Sequence, residues 1–185
     1  MIKSFKLFAI LFTGVILLSS CDSDIPVEQL KAKYIKPNSA FLDIDSVPVH
    51  YIMEGRMDDS LPIVFIHGTS ASLHTWDTLS TLLKSKKRII RLDLPAFGLT
   101  GPNRLNQYNF KFYNQFLDEF LDALKVTQCI VAGNSLGGSI AWNYALASPD
   151  KVRQLILLDA SGYPKKDEKG SLGFKLAAVP VLNQA

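Results

Sequence analysis

Hydrophobic positions change their spacing several times along the 185 residues, and each change predicts an element. Leu7 to Leu18 is almost continuously apolar, broken only by Thr13 and Gly14. That is shorter than the ~20 residues a membrane-crossing helix needs. Residues 21–37 are polar and mixed and predict a tether. Ala40 to Asp45 and Val47 to Met53 are rich in β-branched and aromatic residues on either side of Asp45-Ser46, which predicts an antiparallel pair. Ile63-Val64-Phe65-Ile66 is apolar without a break, as a strand buried on both faces requires. Leu73, Trp76, Leu79, Leu82 and Leu83 recur at helical spacing. A strand over Arg88 to Leu94 follows. Asn109 then caps a helix whose apolar face is Phe110, Tyr113, Phe116, Leu117, Phe120, Leu121 and Leu124. Gln128 to Ala132 reads as a strand, Leu136 to Ala147 as a helix ended by Ser148-Pro149, and Gln154 to Asp159 as the last clear strand.

Strands that alternate with helices imply an α/β fold: a mostly parallel sheet with helices on both faces. The Gly- and Pro-containing stretch Pro95 to Asn106 then becomes a long loop at one strand's end, where open α/β sheets place ligands. Composition agrees with a folded domain, at 48% hydrophobic and 20% charged residues. A net charge of +3 is too balanced to suggest a nucleic-acid partner.

The first residues read as an address rather than as structure. Lys3 and Lys6 precede the apolar stretch, as in a signal peptide over residues 1–20. Leu18-Ser19-Ser20-Cys21 resembles the lipobox of bacterial lipoproteins, in which the cysteine is lipidated and becomes the new N-terminus. Ordinary secretory cleavage beside an incidental cysteine is the alternative. Lipidation at Cys21 would anchor the protein to a membrane of the bacterial cell envelope. Losing Lys3 and Lys6 brings the chain close to neutral. The other cysteine, Cys129, lies in an apolar run and reads as a small buried hydrophobe, so no disulfide framework is expected.

Gly133-Asn134-Ser135-Leu136-Gly137-Gly138 carries the chemistry. It matches G-x-S-x-G, and it follows an apolar strand and opens a helix, which is the context that motif needs. A nucleophilic serine has to project from a very tight strand-to-helix turn, and Gly133 and Gly137 relieve the crowding there. A helix N-terminus also favours developing negative charge. A purely structural glycine-rich helix start is the alternative. Two further segments end predicted strands: Ile66-His67-Gly68-Thr69, and Arg91-Leu92-Asp93-Leu94-Pro95-Ala96-Phe97-Gly98. In this order the three resemble the α/β-hydrolase fold superfamily over about residues 40–162.

The resemblance implies that Ser135 is the nucleophile and that the oxyanion hole combines the backbone N–H groups of Leu136 and Thr69. It implies that His67 and Gly68 shape the first loop, and Asp93 and Gly98 the second. Ala96 stands where glycine is more usual. Ser70 and Ser72 are expected to cap the following helix, and His74 to lie near the pocket mouth. The family's catalytic acid and histidine come after the serine, yet His50, His67 and His74 all precede Ser135. Asp159, at a strand end, is a further acid candidate. The last strand is apolar on both faces, and residues 163–185 look like the start of a cap. The core over residues 38–162 is therefore expected to be incomplete, with the acid and histidine in a missing C-terminal part.

The expected function is a serine hydrolase acting on an ester or related acyl bond of a small molecule. A catalytically silent binding protein or inactive fragment on the same fold is the alternative, and carbon–carbon hydrolase chemistry shares the same elbow. No metal or cofactor is implied.

Overall fold

The computed structural model describes residues 25–162, and those from Leu30 onward form one compact unit. The elements in chain order are α1 (Val27–Tyr34), β1 (Ser39–Ile44), β2 (Val47–Gly55), β3 (Ile63–Ile66), a 3-10 turn (Leu73–Trp76) running into α2 (Asp77–Leu83), β4 (Arg88–Leu92), α3 (Phe110–Ala123), β5 (Cys129–Asn134), α4 (Leu136–Ala147) and β6 (Val152–Leu158). The six strands form one sheet in the order β1-β2-β4-β3-β5-β6. β1, β2 and β4 pair antiparallel, while β4, β3, β5 and β6 run parallel. The expected mostly parallel α/β sheet is what the chain adopts.

Local chemistry explains the boundaries. Asp45 and Ser46 both have positive φ, 48° and 63°. That is the two-residue hairpin turn whose twist suits a right-handed ribbon. Asn109 caps α3, its side-chain oxygen accepting from the Phe112 N–H at 2.9 Å. Ser72 caps the 3-10 turn in the same way through the His74 N–H. Within the segment expected to be a tether, Val27–Tyr34 is helical. Glu28 in its first turn and Lys31 and Lys33 in its last suit the helix dipole, although no residue of α1 is buried.

The central strands alternate between two cores, one on each face of the sheet. Val64 and Ile66 of β3, Ile90 and Leu92 of β4, and Val131 of β5 join the buried faces of α3 and α4. Ile63, Phe65, Ile89, Ile130 and Ala132 point the other way and meet Trp76, with Leu79 and Leu83 alongside. Full burial of each large side chain contributes ~1.5–3 kcal/mol, so these two layers dominate the stability. Two expected core residues lie outside. Leu82 is 68% exposed: α2 turns its Leu79 and Leu83 side to the sheet, and Leu82 lies about 100° round the helix from Leu83. Phe110 is 41% exposed at the first position of α3, where its ring lies 5.9 Å from that of Trp142. On β6, the outer strand of the described sheet, Leu155, Ile156 and Leu158 are also exposed.

Candidate functional site

The ends of β3, β4 and β5 bring the three sequence motifs to one edge of the sheet. Ser135 separates β5 from α4 with φ 51° and ψ −116°. A residue with a Cβ holds such a backbone only where its surroundings enforce it, at a cost of roughly 1–3 kcal/mol. Here the backbone is clamped on both sides. The Ser135 N–H donates to the Leu158 carbonyl at 3.1 Å, and the Ser135 carbonyl accepts from the N–H groups of Ser139 and Ser161. The glycines around it leave no room for a side chain. A Cβ on Gly133 would lie 2.2 Å from the Gly137 carbonyl oxygen, and one on Gly137 would lie 2.2 Å from that of Ile66.

Gly68 is the point where two motifs meet. A Cβ there would sit 3.1 Å from Asn134 Oδ1 and 3.2 Å from Ser135 Cβ. The loop after β3 is thus pressed against the serine turn, although Gly68 and Ser135 are 67 positions apart in the chain. Thr69 follows at the surface, and the Leu136 N–H opens α4, where intrahelical acceptors are lacking. Ser70 is also exposed and carries a positive φ of 56°. Ala96 has φ 69°, which glycine would adopt with less strain.

Each histidine is committed to partners other than Ser135. His67 is buried, with Nδ1 2.8 Å from the Gly68 carbonyl and Nε2 accepting from the Leu94 N–H at 3.0 Å. Burial pushes its imidazole below the usual range, against the pull of the Gly68 carbonyl and Asp93. It is therefore a neutral strut between two loops. His74 lies with Nδ1 3.1 Å from an Asp77 carboxylate oxygen and Nε2 3.0 Å from the Tyr34 carbonyl. His50 places Nδ1 2.8 Å from Asp93 Oδ2 and Nε2 2.8 Å from Ser39 Oγ.

Asp93 ties the loops together. Oδ1 accepts from the Leu73 N–H at 2.7 Å, and Oδ2 accepts from the Leu99 N–H and from His50. Burial alone would push its carboxyl up. The bonds from His50, Leu99 and Leu73 outweigh that and hold it below the ordinary carboxylate range. Sequence reasoning placed Asp93 in the loop but missed His50 as its partner. No local signal links residues 43 positions apart. Arg91 was missed likewise: it is buried and pairs with Glu54 and with Asp77, fixing the start of α2.

Asp159 directly follows β6 with φ 46° and is exposed, one residue beyond the Leu158 carbonyl that holds Ser135. Cys129 is buried and its thiol is pushed up to about 11 by burial, so it is the inert hydrophobe expected. Among the described residues no group of three or more His, Cys, Asp or Glu could hold a metal ion, and no helix is long and apolar enough to cross a membrane. The expected signal segment 1–20, the expected lipidation site Cys21 and the expected cap segment 163–185 lie outside the described residues.

Comparison with known proteins agrees with this architecture. A Bacillus subtilis protein named uncharacterized hydrolase YugF is 33% identical over 126 residues, which cover 66% of this chain and 45% of that protein. A 2-hydroxymuconate semialdehyde hydrolase of a Pseudomonas species is 32% identical over 104 residues, 55% of this chain and 37% of its own. This chain thus spans less than half the length of either. A crystal structure of a membrane phospholipase A superposes with a TM-score of 0.69 at 24% identity, over 90% of this chain and 55% of that one. The family model described as alpha/beta hydrolase fold matches residues 62–176, which include both the His67-Gly68 loop and the Ser135 turn. By that match, and by the sheet and strand-end loops that carry it, the chain belongs to the alpha/beta hydrolase fold family.

Proposed function

We propose that this protein is a serine hydrolase that cleaves an ester or related acyl bond of a small molecule through Ser135. The observation that carries this reading is the strained, clamped backbone of Ser135 at the strand-to-helix turn. Such strain is retained where it positions a reacting group. The hydrolases among its relatives support hydrolysis as the reaction class.

In this mechanism Ser135 Oγ attacks the carbonyl carbon and its proton passes to a general base. The negative charge on the carbonyl oxygen is held by the N–H groups of Leu136 and Thr69. The alcohol leaves with a proton, and water then cleaves the acyl-serine. Gly133, Gly137, Gly68 and His67 hold these donors in place. His50, His67 and His74 have both ring nitrogens engaged elsewhere, so the base is none of the three.

A fluorophosphonate probe tests the reading on the intact protein. Ser135 is expected to carry the label, and Ser135→Ala to lose it. Equal labelling of that variant would overturn the proposal. Lipid anchoring at Cys21 belongs to the same proposal, supported by the lipobox-like Leu18-Ser19-Ser20-Cys21. Metabolic labelling with palmitate is expected to mark the wild type and not Cys21→Ala. A wild type that stays unlabelled removes the anchor and leaves the hydrolase untouched.

A further inference from the structure

Away from the Ser135 turn, the fold lines up a second serine with a histidine and a carboxylate. Ser39 Oγ lies 2.8 Å from His50 Nε2, and His50 Nδ1 lies 2.8 Å from Asp93 Oδ2. These are the contacts a nucleophile makes with its base, and a base with the acid that orients it. Sheet geometry brings the three together. Ser39 pairs with Ile52, and Phe41 with His50, across the antiparallel strands β1 and β2. Ser39 and His50 are therefore diagonal neighbours on one face of the sheet, within reach of an imidazole. One strand further on, the Asp93 N–H donates to the His50 carbonyl at 2.9 Å and fixes the acid beside the ring.

The partners decide where the protons sit. Asp93 is held as a carboxylate, so the hydrogen between it and His50 is on Nδ1. In the neutral imidazole Nε2 is then an acceptor, and the Ser39 hydroxyl donates to it. The Lys36 N–H donates to Ser39 Oγ at 3.0 Å, which holds that oxygen in place. Ser39 is half-buried and follows the exposed Lys36, Pro37 and Asn38, so it lies close to solvent. His50 has no exposed surface, and the Phe41 ring stacks on it at 5.1 Å.

We infer that Ser39 is an acyl-accepting site, at which His50 takes the hydroxyl proton while Oγ receives a short acyl group from an activated ester. A bond forms between Ser39 Oγ and the carbonyl carbon. The ester C–O bond breaks, and the leaving phenolate keeps the electron pair. The serine proton goes to His50 Nε2, where Asp93 balances the charge. The two N–H groups beside the oxygen are spent, that of Lys36 on Ser39 Oγ and that of Ser39 on the Lys36 carbonyl. Neither is left to hold an oxyanion, so the site needs a donor with a good leaving group. Burial of His50 denies water a path to Nε2, so the acyl group stays on. Half-burial of Ser39 admits a short planar acyl group rather than a bulky phosphonate. The site stands apart from the reading of Ser135.

Treating the intact protein with p-nitrophenyl acetate, and locating the acetyl groups by tandem mass spectrometry, tests this. A positioned base contributes ~10²–10⁴-fold and half-burial takes part of that back, so Ser39 is expected to react at least about tenfold faster than the exposed Ser60 and Ser85. Equal rates at the three serines would overturn the proposal. After the reagent is removed, the acetyl group should remain on Ser39; its release as fast as it formed would overturn the lasting adduct. His50→Gln is expected to bring Ser39 down to the rate of the other two, and an unchanged rate in that folded variant would exclude His50 as the base. Should His50→Gln fail to fold, seen as a lost melting transition, wild type unfolded in urea decides. There the preference for Ser39 should vanish, whereas a preference that survives unfolding comes from local sequence and sinks the site. Acetyl found on Ser135 reports on the hydrolase reading alone.

Discussion

Gly137→Ala is expected to abolish the folded domain or lower its stability by more than ~3 kcal/mol, while Gly101→Ala stays within ~0.5 kcal/mol of wild type. The two substitutions add the same methyl group. At Gly137 it would lie 2.2 Å from the Ile66 carbonyl oxygen and 2.4 Å from that of His67, whereas at Gly101 nothing lies within 4 Å. The atoms at Gly137 belong to the backbone at the end of β3, which is paired on both sides by β4 and β5 and cannot swing away. Relief requires α4 to lift off the sheet, breaking the packing of Ile140, Ala141 and Tyr144 in the core. Thermal melting by circular dichroism checks this. Equal melting of the two variants would mean that the turn is looser than its geometry indicates.

Asp93→Asn is expected to destabilise the protein by ~3–5 kcal/mol, because buried donors lose a charged acceptor and at least one is left facing another donor. The asparagine fits the space, but its two ends are not alike. Asp93 accepts hydrogen bonds at both oxygens, from Leu73 on one side and from Leu99 and His50 on the other. Whichever way the amide turns, its NH₂ faces at least one of those donors. At about 2–4 °C per kcal/mol for a chain of this size, the melting temperature should fall by ~6–20 °C. The same bonds predict an acid dependence. The carboxyl is held below its unfolded value, so it binds its proton less readily in the folded state. Its stabilisation is complete above the unfolded value of ~3.9 and is lost as pH falls through the lower folded one. Wild type should therefore lose stability steeply below about pH 4, and Asp93→Asn less steeply. Parallel acid profiles for the two would show that other carboxylates carry the effect.

Both predictions concern contacts that no stretch of sequence displays. The strands and helices were legible because each follows from a local pattern. The unbroken Ile63–Ile66 run marks a strand buried on both faces, and it supplies residues to both cores. Asn109 marks a helix start, and it caps α3. Gly133-Asn134-Ser135-Leu136-Gly137 marks a strand-to-helix turn, and Ser135 occupies it with positive φ. The misreadings arose where local pattern and geometry part. Leu82 and Leu83 both fit a helical spacing from Leu79, and which of the two faces the sheet is set by packing rather than by local pattern. The short helix α1 was read as tether because only its dipole-matched ends signal it, with no apolar face strong enough to show.

What the sequence determined by itself was the order of elements, the two-faced sheet and the position of the serine turn, since these depend on neighbours within a few residues. Only the tertiary structure decided how the three strand-end loops interlock. Gly68 meets Ser135, His67 spans from Gly68 to Leu94, and Asp93 joins Leu73, Leu99 and His50. It also decided that every histidine is engaged away from Ser135, and that His50 joins Ser39 to Asp93. Parallel pairing is the physical reason. It places residues far apart in the chain side by side at one end of the sheet, where hydrogen bonds and close backbone contacts depend on register rather than on local pattern.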